Sequence, residues 1–210
     1  MIGIGGGVAA GKSTIAGQLA ERFAVLGRDV DIVATDAFLH PNAVLAERDL
    51  LMRKGFPESY DSEAMTGFVE QVRAGGRVEL PVYSHATYDI VAGETRVLDR
   101  PDLVLLEGVV AVQAPIVELL DLSVYVDADE TAIRGWFVRR FVGFVATAAS
   151  EPVSFYKMFV GLPDDEIVRI AEATWDGING VNLREHILPA RKLATFVVSK
   201  AADHSIVDVR

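Results

Sequence analysis

Residues 6–14 combine glycines, a lysine and two hydroxyl side chains at a spacing that suits phosphate binding. The pattern G-x-x-x-x-G-K-[S/T] is matched in full by Gly6-Gly7-Val8-Ala9-Ala10-Gly11-Lys12-Ser13-Thr14. The glycines let backbone N–H groups approach phosphate oxygens, and the helix expected after them adds the partial positive charge of its N-terminus. Lys12 would contact the β- and γ-phosphates, and the Ser13 hydroxyl would ligate Mg²⁺. We therefore predict that residues 6–14 bind ATP with Mg²⁺.

Two other nucleotide-binding classes fit the sequence less well. A GTPase usually carries an Asn/Thr-Lys-x-Asp motif, but in Ser199–Asp203 the lysine and aspartate stand one residue too far apart. A dinucleotide site uses G-x-G-x-x-G, and residues 5–11 do not keep that order of spacers. ATP is therefore the nucleotide that we expect.

Three carboxylates each follow an apolar run that is typical of a buried strand. Phosphoryl transfer needs one carboxylate that deprotonates the acceptor hydroxyl and one near Mg²⁺, and both should lie at the carboxyl ends of strands. Asp36 is the better candidate for the base, because side chains large enough to contact an acceptor molecule follow it. Glu107 follows LVLL and is the candidate for the metal. Asp127 stands in Asp-Ala-Asp before a helix, a pattern more typical of capping.

Polar aromatic side chains are concentrated in an extended segment interrupted by proline. Tyr83, His85 and Tyr88 lie within six residues of one another. Their hydroxyl and imidazole groups can hydrogen-bond an acceptor molecule or a carboxylate. We predict that they contribute to a substrate site.

A predicted helix over residues 129–144 carries arginines and phenylalanines. Phe137, Phe141 and Phe144 stand at helical spacing, either as core or as an apolar wall for the acceptor. Neighbouring helix residues point about 100° apart. We therefore expect only one of Arg139 and Arg140 to reach the nucleotide or an anionic substrate, and the other to pair with surface acids.

Apolar periodicity predicts an alternation of strands and helices. Strands are predicted over residues 1–5, 29–35, 103–106, 122–126 and 193–199, the last as a central strand. Helices are predicted over residues 15–26, 42–53, 62–74, 129–144 and 164–175. Residues 78–97 are extended, but a proline and a glycine favour an edge or a protrusion. The pattern implies an α/β protein of the P-loop NTPase fold, with a mostly parallel central sheet and helices on both faces. We predict one kinase domain over residues 1–210, with a lid at about 134–163.

Composition limits the other classes. The chain has 210 residues, no cysteine and a formal net charge of −10. The lack of cysteine excludes disulfide frameworks, cysteine nucleophiles and zinc–cysteine sites. The acidic charge disfavours nucleic acid and anionic membranes as partners, and there is neither a long apolar run nor a basic leader. We expect a cytoplasmic protein.

Several stretches resemble the bacterial type I pantothenate kinases, which are P-loop kinases related to uridine kinase and phosphoribulokinase. These stretches occur in the family's order and cover nearly the whole chain: GGVAAGKST, TDAFLHPNAVLAERDLLMRKGFPESYD, PVYSHATYDIV, DLVLLEGVVAVQ and NLREHILPARKLATFVVSKAADHSIVDVR. The resemblance implies ATP-dependent phosphorylation of the primary hydroxyl of pantothenate, which is the first committed step of coenzyme A synthesis.

The resemblance also implies roles for individual residues. Asp36 would be the base, Glu107 would lie near the metal, and Arg140 would suit the transferring phosphate. The positions that match the pantothenate pocket are His85, Tyr88, Arg140 and Asn179. Lys200 and His204 match the adenine end of the nucleotide site.

Some features depart from the family pattern. Family members carry a long N-terminal extension before the first strand, whereas this chain begins at that strand. The family's Trp-Tyr-x-x-Arg-Phe has Phe137 in place of tyrosine, and an aromatic residue expected near Ala149 is absent. These departures leave the phosphoryl-transfer residues intact but alter the acceptor site, so we expect the acceptor to be pantothenate or another small alcohol (a nucleoside, a sugar or glycerate). A non-catalytic ATP-binding regulator is a further alternative, and apolar positions within residues 42–74 would permit a homodimer.

Overall fold

A six-stranded sheet forms the centre of the computed structural model, which describes residues 1–210. Five strands run parallel: β1 (Ile2–Gly6), β2 (Val30–Ala34), β5 (Leu103–Glu107), β6 (Leu122–Ala128) and β7 (Phe196–Lys200). A sixth, β8 (Ile206–Val209), pairs antiparallel with β7, and the spatial order is β2-β5-β1-β6-β7-β8. Strands β3 (Arg77–Ser84) and β4 (Asp89–Asp99) form a separate antiparallel hairpin. The α/β class and the mostly parallel sheet are thus confirmed.

Five helices of at least six residues surround the sheet. They are α1 (Lys12–Val25), α2 (Asn42–Glu47), α3 (Ser62–Arg73), α4 (Glu130–Ala148) and α5 (Asp164–Thr174). Asp61 and Asp129 cap α3 and α4, accepting hydrogen bonds from the backbone N–H groups of Ala64 and Thr131. No helix is long and apolar enough to cross a lipid bilayer.

The sheet buries apolar side chains on both faces, which is why successive residues of β5 are apolar. On one face, Leu105 packs with Ile4 of β1 and Ala16 of α1. On the other face, α3 and the β3–β4 hairpin cover β2 and β5, and Leu106 lies in that core. Over β6, Tyr125 packs with Trp136 of α4. Helices therefore lie on both faces, as predicted.

Several boundaries predicted from the sequence are wrong, and the helix expected to end at residue 144 continues to Ala148 as α4. The helix expected over residues 42–53 ends at Glu47, because Asp49 takes a left-handed conformation (φ 57°) and only a short 3₁₀ turn, Leu51–Arg53, follows. Strand β7 begins at Phe196 rather than residue 193, and it is an interior strand of the sheet, paired with β6 on one side and β8 on the other.

Residues 175–193 form a helical segment of mixed geometry that periodicity did not indicate. Two π-helical turns, Trp175–Asn179 and Leu183–Ile187, flank a short α-helical stretch, Gly180–Asn182. π-Helical turns widen a helix by one residue and occur often at functional sites. Here they direct Asn179 and Asn182 into the cavity described below.

Candidate active site

The phosphate loop lies between β1 and α1, at the carboxyl edge of the sheet. Gly6 has φ 142°, and a Cβ there would lie 2.5 Å from the carbonyl oxygen of Val126 on the neighbouring strand. Lys12 is buried, and its Nζ donates to the carbonyl oxygen of Gly7 at 2.9 Å. Burial lowers the pKa of Lys12, while the carboxylates of Glu107 and Asp36 oppose that shift. The loop thus holds its cation in place beside two carboxylates.

Ser13 and Glu107 are paired at the mouth of the loop. The Ser13 hydroxyl donates to Oε1 of Glu107 at 2.8 Å. Register explains the pairing, since Glu107 ends β5 opposite Ile4 of β1 and Ala34 of β2. No group of three or more histidine, cysteine, aspartate or glutamate side chains lies close enough together to hold a metal ion. The chain itself therefore offers one hydroxyl and one carboxylate here.

Asp36 is placed by a close contact between the residues that follow β2 and β5. It lies in a 3₁₀ turn, Thr35–Phe38, directly after β2. A Cβ at Gly108 would lie 1.7 Å from the Oγ1 of Thr35, so only glycine fits beside this turn. The absence of a side chain at Gly108 thus lets the turn that carries Asp36 approach the residue next to Glu107.

A cavity of about 340 Å³ extends from the loop; we call it the aromatic cavity. It gathers every residue predicted to bind the substrate. These are Asp36, Tyr83, His85, Tyr88, Phe137, Arg140, Phe144 and Asn179. Lys12, Ser13 and Glu107 also line it, so the substrate and phosphate residues share one space.

Four tyrosines, Tyr60, Tyr83, Tyr88 and Tyr156, line the aromatic cavity. The ring of Tyr83 lies 5.2 Å from that of His85 and 6.4 Å from that of Tyr88. Burial raises the pKa of Tyr88 to about 12 and also raises that of Tyr83. Both hydroxyls therefore keep their protons at neutral pH and can donate hydrogen bonds.

Lys54 is a cavity residue that our reading of the sequence missed. It is buried, and its Nζ donates to Oδ1 of Asn42 at 2.6 Å and to the carbonyl oxygen of Tyr88 at 2.5 Å. Burial lowers its pKa, and the carboxylates of Asp89 and Asp36 oppose that shift. The only signal in the sequence was its place in the distinctive stretch RKGFPESYD.

Asn182 is the second lining residue that was not predicted. Its Nδ2 donates to the carbonyl oxygen of Gly55 at 2.7 Å, which fixes the orientation of the amide. Its Oδ1 is buried and accepts no hydrogen bond. The π-helical geometry that places it gives no recognisable sequence pattern, so only its proximity to Asn179 could have indicated it.

An apolar wall and a short segment enclose the rest of the aromatic cavity. Phe137 packs against Trp175, with ring centroids 5.6 Å apart. Phe155 begins a 3₁₀ turn, Phe155–Phe159, and its ring stacks on Tyr88 at 5.1 Å. The backbone N–H of Phe155 donates to the carbonyl oxygen of Ala86 at 2.7 Å. This turn lies inside the predicted lid and contacts the tip of the β3–β4 hairpin.

A groove of about 940 Å³ lies on the other side of the loop; we call it the cationic groove. At one end the ring of His204 stacks on Trp136, with centroids 4.1 Å apart and planes 23° from parallel. The Nζ of Lys200 donates to the carbonyl oxygen of Ala10 at 2.9 Å. The predicted nucleotide residues that line this groove are Ala9, Gly11, Lys12, Ser13, Thr14, Lys200 and His204.

Other predicted loop residues lie elsewhere. Val8 lines the aromatic cavity rather than the groove. Gly6, Gly7 and Ala10 line neither space. They are buried in the loop backbone, where the carbonyl oxygens of Gly7 and Ala10 accept hydrogen bonds from lysine side chains. Their part is to shape the loop.

The arginines of α4 are arranged differently from our expectation. Arg139 and Arg140 both line the cationic groove, because their long side chains reach it from adjacent positions, and Arg140 lines the aromatic cavity as well. The arginine that pairs with surface acids is Arg134, which lies 3.0 Å from Glu172 and 3.3 Å from Asp176. The expectation that only one of Arg139 and Arg140 faces the site is therefore wrong.

Asp127 does not line either space. Its carboxylate pairs with the Arg191 guanidinium at 3.0 Å, while Asp129 caps α4. The two aspartates of the Asp-Ala-Asp pattern thus have different roles: Asp127 forms an ion pair and Asp129 caps a helix.

The sequence matches known proteins over its whole length. The model of the phosphoribulokinase/uridine kinase family matches residues 1–140. A pantothenate kinase from Cutibacterium acnes is 45% identical, and the match covers 100% of this chain and 68% of that protein. A pantothenate kinase from Pectobacterium carotovorum is 42% identical, with coverage of 100% and 71%.

Solved structures with low sequence identity share the fold. A putative fructose transport system kinase from Silicibacter sp. has a TM-score of 0.68 at 23% identity, covering 92% of this chain and 84% of that one. The phosphoribulokinase from Rhodobacter spheroides has a TM-score of 0.57 at 13% identity, covering 95% and 69%. The family model and the pantothenate kinases of 42–45% identity show that the chain belongs to the phosphoribulokinase/uridine kinase family and is an ATP-dependent small-molecule kinase similar to pantothenate kinases.

Proposed function

We propose that this kinase transfers the γ-phosphate of ATP to the primary hydroxyl of pantothenate. One observation carries the proposal. The aromatic cavity and the cationic groove meet at the phosphate loop, and Ala9, Lys12, Ser13 and Arg140 line both. A nucleotide in the groove and an alcohol in the cavity would thus reach the same cations from opposite sides. The names of the relatives suggest which alcohol it is.

The residues around this junction suit an in-line transfer. Asp36 would accept the hydroxyl proton as the acceptor oxygen bonds to the γ-phosphorus. The bond from that phosphorus to the β–γ bridging oxygen breaks, and ADP leaves with the electron pair. Lys12 and Arg140 would neutralise the charge on the transferring group. The products are ADP and a phosphate monoester.

The oxygen atoms of Ser13 and Glu107 fit Mg²⁺, which prefers oxygen ligands and takes several of them from phosphates and water. The two groups already contact one another at 2.8 Å. When bound, Mg²⁺ would neutralise charge on the β- and γ-phosphates. Ser13 would ligate the ion, and Glu107 would act directly or through water.

The distribution of charge in the aromatic cavity favours an acceptor that carries a carboxylate. Lys12, Lys54 and Arg140 line it beside Asp36 and Glu107, so its basic side chains outnumber its carboxylates by one. Tyr83, Tyr88 and His85 add hydrogen-bonding groups. Pantothenate has a carboxylate, an amide and an apolar branched centre, which suit cations, hydroxyls and aromatic rings respectively.

A second candidate keeps the reaction and changes the acceptor. Phe137 presents a ring without a hydroxyl, and Ala149 has no aromatic side chain. A nucleoside, a sugar or glycerate would be phosphorylated by the same groups. A regulator that binds ATP without an acceptor is the remaining alternative. A homodimer and a cytoplasmic location stay predictions from the sequence.

The test is ADP release with ATP and Mg²⁺, first with pantothenate and then with nucleosides, sugars and glycerate. We expect strong stimulation by pantothenate. Stimulation by another alcohol alone would replace the acceptor and keep the residue roles. ATP binding without acceptor-dependent ADP release would contradict the kinase proposal and support the regulator.

A further inference from the structure

The cationic groove is lined by Arg139, a positive side chain for which the sequence analysis predicted no definite role. Lys12, Arg139, Arg140 and Lys200 line it, and no aspartate or glutamate does. The chain as a whole carries a net charge of −10, so this groove departs from the average charge of the molecule. A groove with that lining attracts a polyanion.

Arg139 is free to bind such a ligand. No carboxylate lies within 4.0 Å of its guanidinium, whereas Arg134 on the same helix is held by Glu172 and Asp176. Arg139 is exposed, and its charge is one of those that act on the imidazole of His204. Desolvation, Lys200 and Arg139, in that order, lower the pKa of His204.

The position of Arg139 along α4 indicates which part of the nucleotide it would meet. Trp136, Arg139 and Arg140 stand at i, i+3 and i+4 and so share one face of the helix. Trp136 stacks on His204 at the end predicted to hold the base. Arg140 lines the aromatic cavity too, which places it at the junction where transfer would occur. Arg139 lines the groove but not the aromatic cavity, and it falls between Trp136 and Arg140 along the helix.

We propose that Arg139 is a nucleotide-positioning residue that binds the α- and β-phosphates, which stay with the nucleotide after transfer. This inference rests on the proposed use of ATP as the phosphate donor. A guanidinium can bind two phosphate oxygens in a bidentate arrangement. Arg139 would therefore hold ATP and ADP equally, while Arg140 acts on the γ-phosphoryl group that is transferred.

The test compares ligands that differ only in phosphate. Calorimetry would measure the Kd of ADP and, by competition at millimolar concentration, of adenosine for wild type and Arg139→Gln. We expect Arg139→Gln to weaken ADP binding about 10- to 100-fold, the scale of a lost charge-assisted contact, and to leave adenosine binding unchanged. Arg139→Lys should recover part of the loss.

The control is Arg134→Gln, which removes the paired arginine of the same helix and should leave ADP affinity unchanged. Unaltered ADP binding by Arg139→Gln would overturn the proposal, and so would an equal loss for adenosine and ADP. If Arg139→Gln misfolds, Arg139→Lys carries the same comparison. Wild-type protein that fails to bind ADP would overturn the proposed function as well, which separates the two failures.

Discussion

Asp36 and Asp127 both follow a strand of the parallel sheet, yet the structure gives them different surroundings. Asp36 lines the aromatic cavity together with Lys12 and Lys54. Asp127 is held by Arg191 at 3.0 Å and lines neither space. The pair therefore offers a matched comparison between a proposed base and a structural carboxylate.

Asp36→Asn should bind ATP normally but lose at least about 100-fold in kcat, because an amide cannot accept the hydroxyl proton. Steady-state ADP release and nucleotide titration would measure the two effects. Asp127→Asn serves as the control and should keep kcat while lowering the Tm. Near-normal turnover by Asp36→Asn would contradict the role of the base.

Phe137→Tyr should raise kcat/KM for pantothenate about threefold to tenfold, the scale of one added hydrogen bond. Phe137 lines the aromatic cavity, so the new hydroxyl would face the acceptor. Phe144→Tyr adds the same hydroxyl elsewhere on that wall and should give no gain. If the two variants behave alike, Phe137 does not determine acceptor choice.

At the residue scale, the sequence was informative where the chemistry needs a fixed local spacing. The glycines, Lys12 and Ser13 could be singled out because their residue types stand at a fixed spacing within one short stretch of sequence. Lys54 and Asn182 could not, because their partners stand far along the chain: Lys54 meets Tyr88, and Asn182 meets Gly55. Only the folded chain brings these pairs together.

At the scale of elements, the turn Phe155–Phe159 closes the aromatic cavity against the β3–β4 hairpin. One backbone hydrogen bond and one aromatic stack join the two segments, through Phe155 with Ala86 and Tyr88. The turn also packs on Phe141 and Phe144 of α4, so only its contact with the hairpin is sparse, and we propose that an acceptor enters when that contact opens. Exclusion of water by such a lid would limit hydrolysis of ATP.

Phe155→Ala should raise the ratio of acceptor-independent to acceptor-dependent ADP release about fivefold. The lost aromatic stack would weaken the contact between turn and hairpin by about 1 kcal/mol, which corresponds to that factor. Both rates come from the same coupled assay. Met158→Ala is the control: Met158 is 65% exposed and does not line the cavity. An unchanged ratio in Phe155→Ala would argue that the turn does not exclude water.

Element boundaries were less predictable than element types. Strands β1, β5 and β6 follow from apolar runs, because burial on both faces imposes a simple pattern. The prediction of a helix over residues 42–53 was wrong because Asp49 takes a left-handed conformation within a segment whose composition is typical of a helix. The π-helical turns of residues 175–187 keep the composition of a helix while shifting its periodicity.

At the scale of the whole molecule, all five tyrosines share one electrostatic property. Burial raises the pKa of Tyr60, Tyr83, Tyr88, Tyr125 and Tyr156 above the ordinary value, and it is the largest cause in each. Unfolding would expose them to water and return their pKa to about 10. Between these two pKa values the unfolded chain binds fewer protons than the native one.

The free energy of unfolding should therefore fall as the pH rises above about 10, where the unfolded state begins to lose tyrosine protons. Absorbance at 295 nm should show little tyrosinate in the native protein at pH 10, followed by ionisation together with unfolding. Circular dichroism at each pH would follow the fold. Gradual titration of several tyrosines in folded protein at pH 10 would contradict the expected shifts.

The wall shared by the two spaces makes the nucleotide and the acceptor thermodynamically linked ligands. Arg140 and Lys12 line both, so the charge that one ligand neutralises is no longer available to the other. By reciprocity, the factor by which ADP changes the affinity for an acceptor equals the factor by which that acceptor changes the affinity for ADP. An unreactive, anionic acceptor analogue that weakens ADP binding by competing for these cations would thus be bound more weakly in the presence of ADP, by the same factor.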